Sequence, residues 1–298
     1  MADTSASANA GQIAYWNGST GDRSVALQDR LDAVFAGITA TLIGRAALLP
    51  GEHVLDVGCG CGETVLRLAA KVGPAGAVLG VDVSKPMLDL AARRVAAAGM
   101  GTAALEAAGM ANVELVLADA SAHRFEDGRF DLVFSRLGVM FFDDPVGAFA
   151  NIRTSVKPGG RLAFFCWRAM TDNPWFRVPY AAAQPHLQPQ PQPPADPDAP
   201  GTFAFADPDR VRTILSNAGF SSIDIQRHDP PMRLGGPNQA RLAAEFATEV
   251  GPVSRALAAS EPAARVAARA AIVAELTKFD GPDGIVLPGS GWLVSART

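Results

Sequence analysis

Cysteine is nearly absent from this chain: Cys59, Cys61 and Cys166 are its full complement in 298 residues. Three cysteines cannot build a disulfide framework, so the fold has to rest on a buried core, and a reducing compartment suits it. Charge of one sign is lacking too. Lys and Arg number 26 against 30 Asp and Glu, a net charge of −4, which is not the broad basic field that nucleic-acid binding draws on. Nucleic acid is therefore not expected as a partner. No apolar run reaches the ~18 residues of a membrane span, and Met1 to Ala10 have neither the basic start nor the apolar centre of a secretion signal. The expectation is a soluble, cytoplasmic chain without a membrane span. Histidine is sparse as well. His53, His123, His186 and His228 share no metal-ligand or base–nucleophile spacing, and no metal is expected.

Glycine, by contrast, is plentiful and locally concentrated. His53 to Thr64 reads as an apolar run, Val54, Leu55 and Val57, broken by Asp56, then Gly58, Gly60 and Gly62 alternating with Cys59, Cys61 and Glu63. Glycine at every second position costs chain entropy and is kept where the backbone turns sharply or approaches a ligand. From Thr64, Val65, Leu66, Leu68 and Ala69 the pattern turns helical. Strand, glycine turn and helix in succession open a nucleotide-binding α/β domain.

The same alternation continues along the chain. Residues 1–12 are small and polar and are expected to be disordered, and Tyr15 to Asp22 reads as a turn-rich segment with two aromatics. Arg23 to Leu49 predicts one amphipathic helix. A second strand over Gly76–Val83 carries Asp82 near its end, with Ser84 as the helix cap and Pro86 in the first turn. Ala96 to Met100 is nearly echoed by Glu106 to Met110, which reads as a small duplication lengthening one connection. A third strand closes on Asp119, a fourth covers Phe130–Ser135, and a fifth covers Arg161–Trp167. A helix over Pro145–Ser155, closed by Lys157-Pro158-Gly159-Gly160, separates the last two. Strands alternating with helices imply a mainly parallel sheet covered on both faces. Beyond it, Gln184–Pro200 reads as an extended connector. Arg210–Ala218 reads as helix, Ser221–Gln226 as a sixth strand, 238–279 as helical, and Gly284–Ser295 as a two-stranded finish.

The glycines at 58, 60 and 62, with Glu63 following, depart from the dinucleotide fingerprint, and Asp56 would oppose a pyrophosphate. A ligand with a cationic portion fits better. Asp56-Val57-Gly58-Cys59-Gly60-Cys61-Gly62, Asp82, Asp119-Ala120 and Lys157-Pro158-Gly159-Gly160 together resemble the class I S-adenosylmethionine-dependent methyltransferases over residues 50–167. The resemblance is to the small-molecule branch that includes ubiquinone/menaquinone-type enzymes. It implies a Rossmann-like, seven-stranded, mostly parallel sheet with helices on both faces and a helical lid. It also implies cofactor-binding roles. Gly58 and Gly60 would lie along the methionine part of S-adenosyl-L-methionine. Asp82 would accept from the ribose hydroxyls, Asp119 and Ala120 would meet the adenine, and Val83 and Met87 would pack near its ring. Ser135 would lie near the sulfonium and the substrate. Asp56 either contacts the ligand or orients the glycine loop.

This division gives an N-terminal segment with lid helices over 1–49, a cofactor-binding core over 50–167 and a Pro-rich connector over 168–205. Residues 206–298 complete the core, with a helical insertion over 237–279. Phe141, Phe142 and Trp167 follow strand ends and suggest a partly apolar pocket. The implied reaction is methyl transfer to a small-molecule acceptor. Cyclisation or another alkyl transfer, or cofactor binding without catalysis, stay open as alternatives. No catalytic residue is assigned. Tyr15, Asp143, Asp144, His186 and His228 are candidate bases for an acceptor that arrives protonated. Ser135-Arg136-Leu137-Gly138 is not the Asn/Asp-Pro-Pro-aromatic motif of base-methylating enzymes.

Overall fold

A computed structural model describes residues 9–99, 112–187, 199–258 and 260–298. The chain divides into two compact units. The first comprises 1–166, 200–226 and 292–298, and the second 167–199 and 227–291.

The first unit begins with three helices, α1 (Ala10–Asn17), α2 (Ser19–Ala26) and α3 (Gln28–Ala46). The nucleotide-binding alternation follows as β1 (His53–Val57), α4 (Glu63–Val72), β2 (Ala77–Asp82), α5 (Lys85–Ala97), β3 (Asn112–Leu117) and β4 (Phe130–Arg136). Then come α6 (Pro145–Thr154) and β5 (Val156–Trp167). β1 pairs in parallel with β2 on one side and β4 on the other, so strand order reverses between β1 and β4. That reversal opens a crevice at the strands' C-terminal ends, where open α/β sheets take ligands. Both faces are covered, as the near-continuous apolar strands require. Leu132, Val133 and Phe134 are fully buried, as are Val65, Leu68, Ala69 and Val72 of α4.

The first unit also holds α8 (Pro208–Asn217) and most of β6 (Ser221–His228) and β10 (Gly291–Arg297). The seven strands lie in the order β3-β2-β1-β4-β5-β10-β6. Thr298 N–H donates to Gly160 O at 3.2 Å and the Ser221 hydroxyl to Arg297 O at 3.3 Å. The end of β10 thus meets the beginnings of β5 and β6, and β10 runs against both. The sheet is the mostly parallel, Rossmann-like one expected.

In the second unit, α7 (Pro174–Ala183) is accompanied by a small antiparallel sheet and three helices. The sheet orders β7 (Pro231–Gly235), β9 (Gly284–Pro288) and β8 (Asp280–Gly281). The helices are α9 (Ala240–Glu249), α10 (Gly251–Ala258) and α11 (Pro262–Thr277). Asn173 organises one end: its amide donates to Arg168 O and Ala169 O, and its Oδ1 accepts from Ser290 N–H at 2.7 Å. Among the described residues no helix is long and apolar enough to cross a membrane.

Several expectations need correction. Residues 10–12 and the segment from Tyr15 are helical in α1 and α2, because Gly18 interrupts the helix for a single residue and Asn17 donates back to Ile13 O. The single helix expected from Arg23 breaks at Leu27. Lys157 to Gly160 belong to β5. Phe130 pairs with Val156 and Leu132 with Arg161, so the four residues between form a bulge, with Gly159 at φ +74°. The finish does hold two strands, β9 and β10, and they join different sheets. Ser84 occupies the cap position of α5, but its hydroxyl donates to Trp16 O. Asp119 lies two residues past the end of β3. Phe142 and Trp167 are 7% and 2% exposed and sit in packed aromatic clusters. The echoed segment 106–110 and residues 188–198 of the Pro-rich connector lie outside the described residues.

Candidate functional site

Asp56, the charged residue inside β1, is fully buried. Its Oδ2 accepts from the Thr64 hydroxyl, which ties the strand to the first turn of α4 across the glycine loop, while Oδ1 is buried without a hydrogen-bond partner. Burial pushes the carboxyl up to about 7, against the pull of the Thr64 hydrogen bond and the Arg136 charge. The folded pKa therefore stands above the ordinary 3.8. Stability from this group is complete below that value and is lost as pH rises through about 7. In urea titrations at pH 5 and pH 8, Asp56→Asn should accordingly gain on the wild type at the higher pH. A pH-independent difference between the two would contradict this.

The loop leaving β1 lies against the loop leaving β4. A Cβ on Gly58 would stand 2.8 Å from Gly138 Cα, and one on Gly138 would stand 2.6 Å from Val57 O. Only glycine at both positions permits this approach. Ser135, fully buried, joins the two strands: its hydroxyl donates to Val57 O at 2.7 Å and its oxygen accepts from Gly138 N–H at 3.2 Å.

Asp82 braces the loop from the other side. Oδ2 accepts from Gly60 N–H and Oδ1 from Ser84 N–H, each at 2.8 Å. Burial raises its pKa, and these backbone hydrogen bonds lower it. One lone-pair direction on each oxygen is left over. Met87 approaches the same loop, since a Cβ on Gly60 would meet its Cε at 2.9 Å. Val83 is half-buried between Asp82 and Ser84.

Asp119 is tethered nearby, because Ala118 N–H donates to Asp82 O at 3.0 Å. Its Oδ1 accepts from Ser121 N–H at 2.9 Å, the Ser121 hydroxyl at 2.7 Å and Asn9 Nδ2 at 3.3 Å, whereas Oδ2 is buried with no partner. Ala120 is buried and its carbonyl accepts from Asn151. The structure thus gathers Gly60, Asp82, Val83 and Met87 at one point, Asp119 and Ala120 beside it, and Gly58 and Ser135 at the β1–β4 junction. Asp56 lies beneath the loop.

Of the candidate bases, Asp144 is committed as the cap of α6, accepting from Gly147 N–H at 3.0 Å. Burial lowers the pKa of His228, in the second unit. Cys59 and Cys61 are buried in the loop, and burial raises both thiols out of the reactive range, Cys61 to about 12.

Sequence reasoning missed a second layer of residues. Glu63, 6% exposed, accepts from Arg136 Nη1 at 2.6 Å and also pairs with Arg67. Arg136 Nη1 donates in addition to Thr39 at 2.7 Å, and its guanidinium lies over Phe35. Asn9, Trp16 and Asn17 of the N-terminal segment bond to the loops after β2 and β3. Asn17-Gly18 carried the one local signal, that of a helix boundary.

A family profile described as a methyltransferase domain matches residues 55–164. Aklanonic acid methyltransferase of Streptomyces sp. (strain C5) is 32% identical over 170 residues, 57% of this chain and 68% of that protein. A demethylmenaquinone methyltransferase of Symbiobacterium thermophilum is 37% identical over 127 residues, so that 43% of this chain spans 46% of that one. Among solved structures, phosphoethanolamine N-methyltransferase 2 of Haemonchus contortus in complex with S-adenosyl-L-methionine shares the fold. Its TM-score is 0.56 at 17% identity, covering 96% of this chain and 59% of that one.

Proposed function

Because this chain belongs to the methyltransferase-domain family of S-adenosylmethionine-dependent enzymes, we propose that it methylates a small-molecule acceptor by in-line displacement, in the cytoplasm. The observation that carries the reading is the pair of acids, Asp82 and Asp119, beside the glycine loop. The residues suit the cofactor. Asp119 Oδ2 is a buried acceptor awaiting a donor, and Asp82 keeps lone pairs for two hydroxyls while holding Gly60 in place. Two acids beside the loop make an environment that favours a cation and opposes a pyrophosphate. When bound, S-adenosylmethionine supplies an already activated methyl group.

The chain's own residues then position and exclude water. Asp82 would orient the ribose, and Asp119 with Ala120 would receive the adenine edge. Val83 and Met87 would pack against the ring, and the backbone at Gly58 and Gly60 would lie along the methionine portion. Ser135 acts through its hydrogen bond to Val57 O, fixing the β1–β4 junction beside the glycine loop. Asp56 sets the loop through Thr64.

The relatives named for aklanonic acid and demethylmenaquinone define the acceptors to try first. Incubation of those two and related hydroxylated aromatics with methyl-labelled cofactor, followed by mass spectrometry, should yield a product carrying one labelled methyl. Cofactor consumption with no label in a product, or tight binding with no turnover, would overturn the reading.

A further inference from the structure

α11 carries two apolar lines. Ala268, Ile272 and Leu276, one turn apart, are its buried residues. Pro262, Val266, Ala270 and Val273 recur at steps of four, four and three along another face of the same helix. Core packing does not account for this second line, because Pro262 and Ala270 are exposed and Val266 is 71% exposed. A solvated helix face would carry polar residues there instead. From Pro262 to Val273 the line runs about 16 Å, three helical turns.

It forms one wall of a groove of about 600 Å3 whose other wall is α9. The two helices run antiparallel. Asn238 N–H, at the entry to α9, donates at 2.9 Å to Asp280 Oδ2 beyond the end of α11, and Glu249, at the end of α9, pairs with Arg269 at 3.8 Å. The charge in the groove is mostly of one sign: among the described residues its lining holds Arg241, Arg265 and Arg269 against one acid, Glu245. Arg265 is already fixed in place. Its Nε donates to Ser260 O at 2.7 Å and its Nη2 to Ala258 O at 3.1 Å, which leaves three of its five N–H groups for another acceptor. Arg269 and Glu249 are 52% and 38% exposed, and so solvated a pair holds the guanidinium only weakly.

An exposed apolar line three turns long, edged by arginines, complements an amphipathic helix whose own apolar stripe has the same spacing and is bordered by acids. A lipid surface fits less well, because a flat sheet does not enter a groove between two helices. We propose that the α9–α11 groove docks an acidic amphipathic helix of a partner protein, its apolar stripe on Val266 and the residues in line with it, its carboxylates on Arg241, Arg265 and Arg269. The site lies wholly within the second unit and does not depend on the cofactor reading.

The test is fluorescence anisotropy on the full chain with a labelled helical peptide about 18 residues long, carrying Leu along one face and Glu on both flanks. A second peptide has Lys in place of every Glu. The Glu peptide should bind saturably, more weakly as salt rises, and the Lys peptide should not. Arg241→Glu/Arg269→Glu spares the carbonyl bonds of Arg265. It should weaken the Glu peptide by about tenfold or more and bring in the Lys peptide. Val266→Asp should weaken the Glu peptide to a similar degree, and circular dichroism checks that each variant folds. No binding of the Glu peptide, equal binding of the two peptides, or affinity unchanged in the variants would overturn the proposal. So would sedimentation showing that the wild type self-associates and Val266→Asp does not, which would make a second copy the occupant. Binding to phosphatidylglycerol vesicles that the Glu peptide cannot displace would overturn it in favour of a lipid surface.

Discussion

Asp82→Ala is expected to weaken S-adenosylhomocysteine binding by roughly 1.5 to 3 kcal/mol, about ten- to a hundred-fold, the range for hydrogen bonds to a charged group. Two losses coincide in this variant. The ribose hydroxyls lose their acceptor, and the amides of Gly60 and Ser84 lose the carboxylate that holds the glycine loop against the start of α5. Asp82→Asn incurs part of each. An amide side chain presents one acceptor and one donor in place of two acceptors, so one of those two N–H groups faces a donor. Calorimetry should rank wild type above both variants. Equal affinity for Asp82→Ala and wild type would remove Asp82 from the site.

Asp82 was legible in the sequence because its cue is local: a short apolar strand, an acid at its end, then proline in a first helical turn. The glycine loop and the parallel order of strands were legible for the same reason. What stayed hidden depends on partners far apart in the chain. Arg136 reads as one residue of a strand end until Glu63 and Thr39 are brought to it, 73 and 97 positions away. Asn17 looked like turn chemistry because its amide spends its bonds on Val83 and Lys85, the latter 68 positions on. Lys157-Pro158-Gly159-Gly160 has the composition of a turn, and only pairing on either side shows it to be a bulge within β5. The two closing strands were legible, whereas nothing local reveals that β10 inserts between β5 and β6. Ser135 was legible as a strand-end residue, while the bonding of its hydroxyl to Val57 O was not.

The second large effect concerns that hidden layer. Arg136→Met is expected to destabilise the chain by about 3 to 5 kcal/mol, the cost of stranding one partner of a buried ion pair. Glu63 and Arg136 are 6% and 13% exposed at the side chain, so water offers the abandoned carboxylate little relief. Arg67 remains as a partner for Glu63, yet it is 45% exposed and bound on the other oxygen. Thr39 loses its donor as well. The double variant Glu63→Gln/Arg136→Met removes the stranded charge and should recover a large part of the loss. Urea midpoints for the two single variants and the double close the cycle. Additive effects would show that the pair does not act as a unit.

The central claim is that the crest formed by the β1 loop and the acids after β2 and β3 receives an adenosyl group. A crystal structure of the complex with S-adenosylhomocysteine tests it most directly. Both ribose hydroxyls are expected on the Asp82 carboxylate, and the adenine beside Val83 and Met87 with its edge toward Asp119 Oδ2. A nucleoside bound elsewhere, with Asp82 and Asp119 facing solvent, would contradict it.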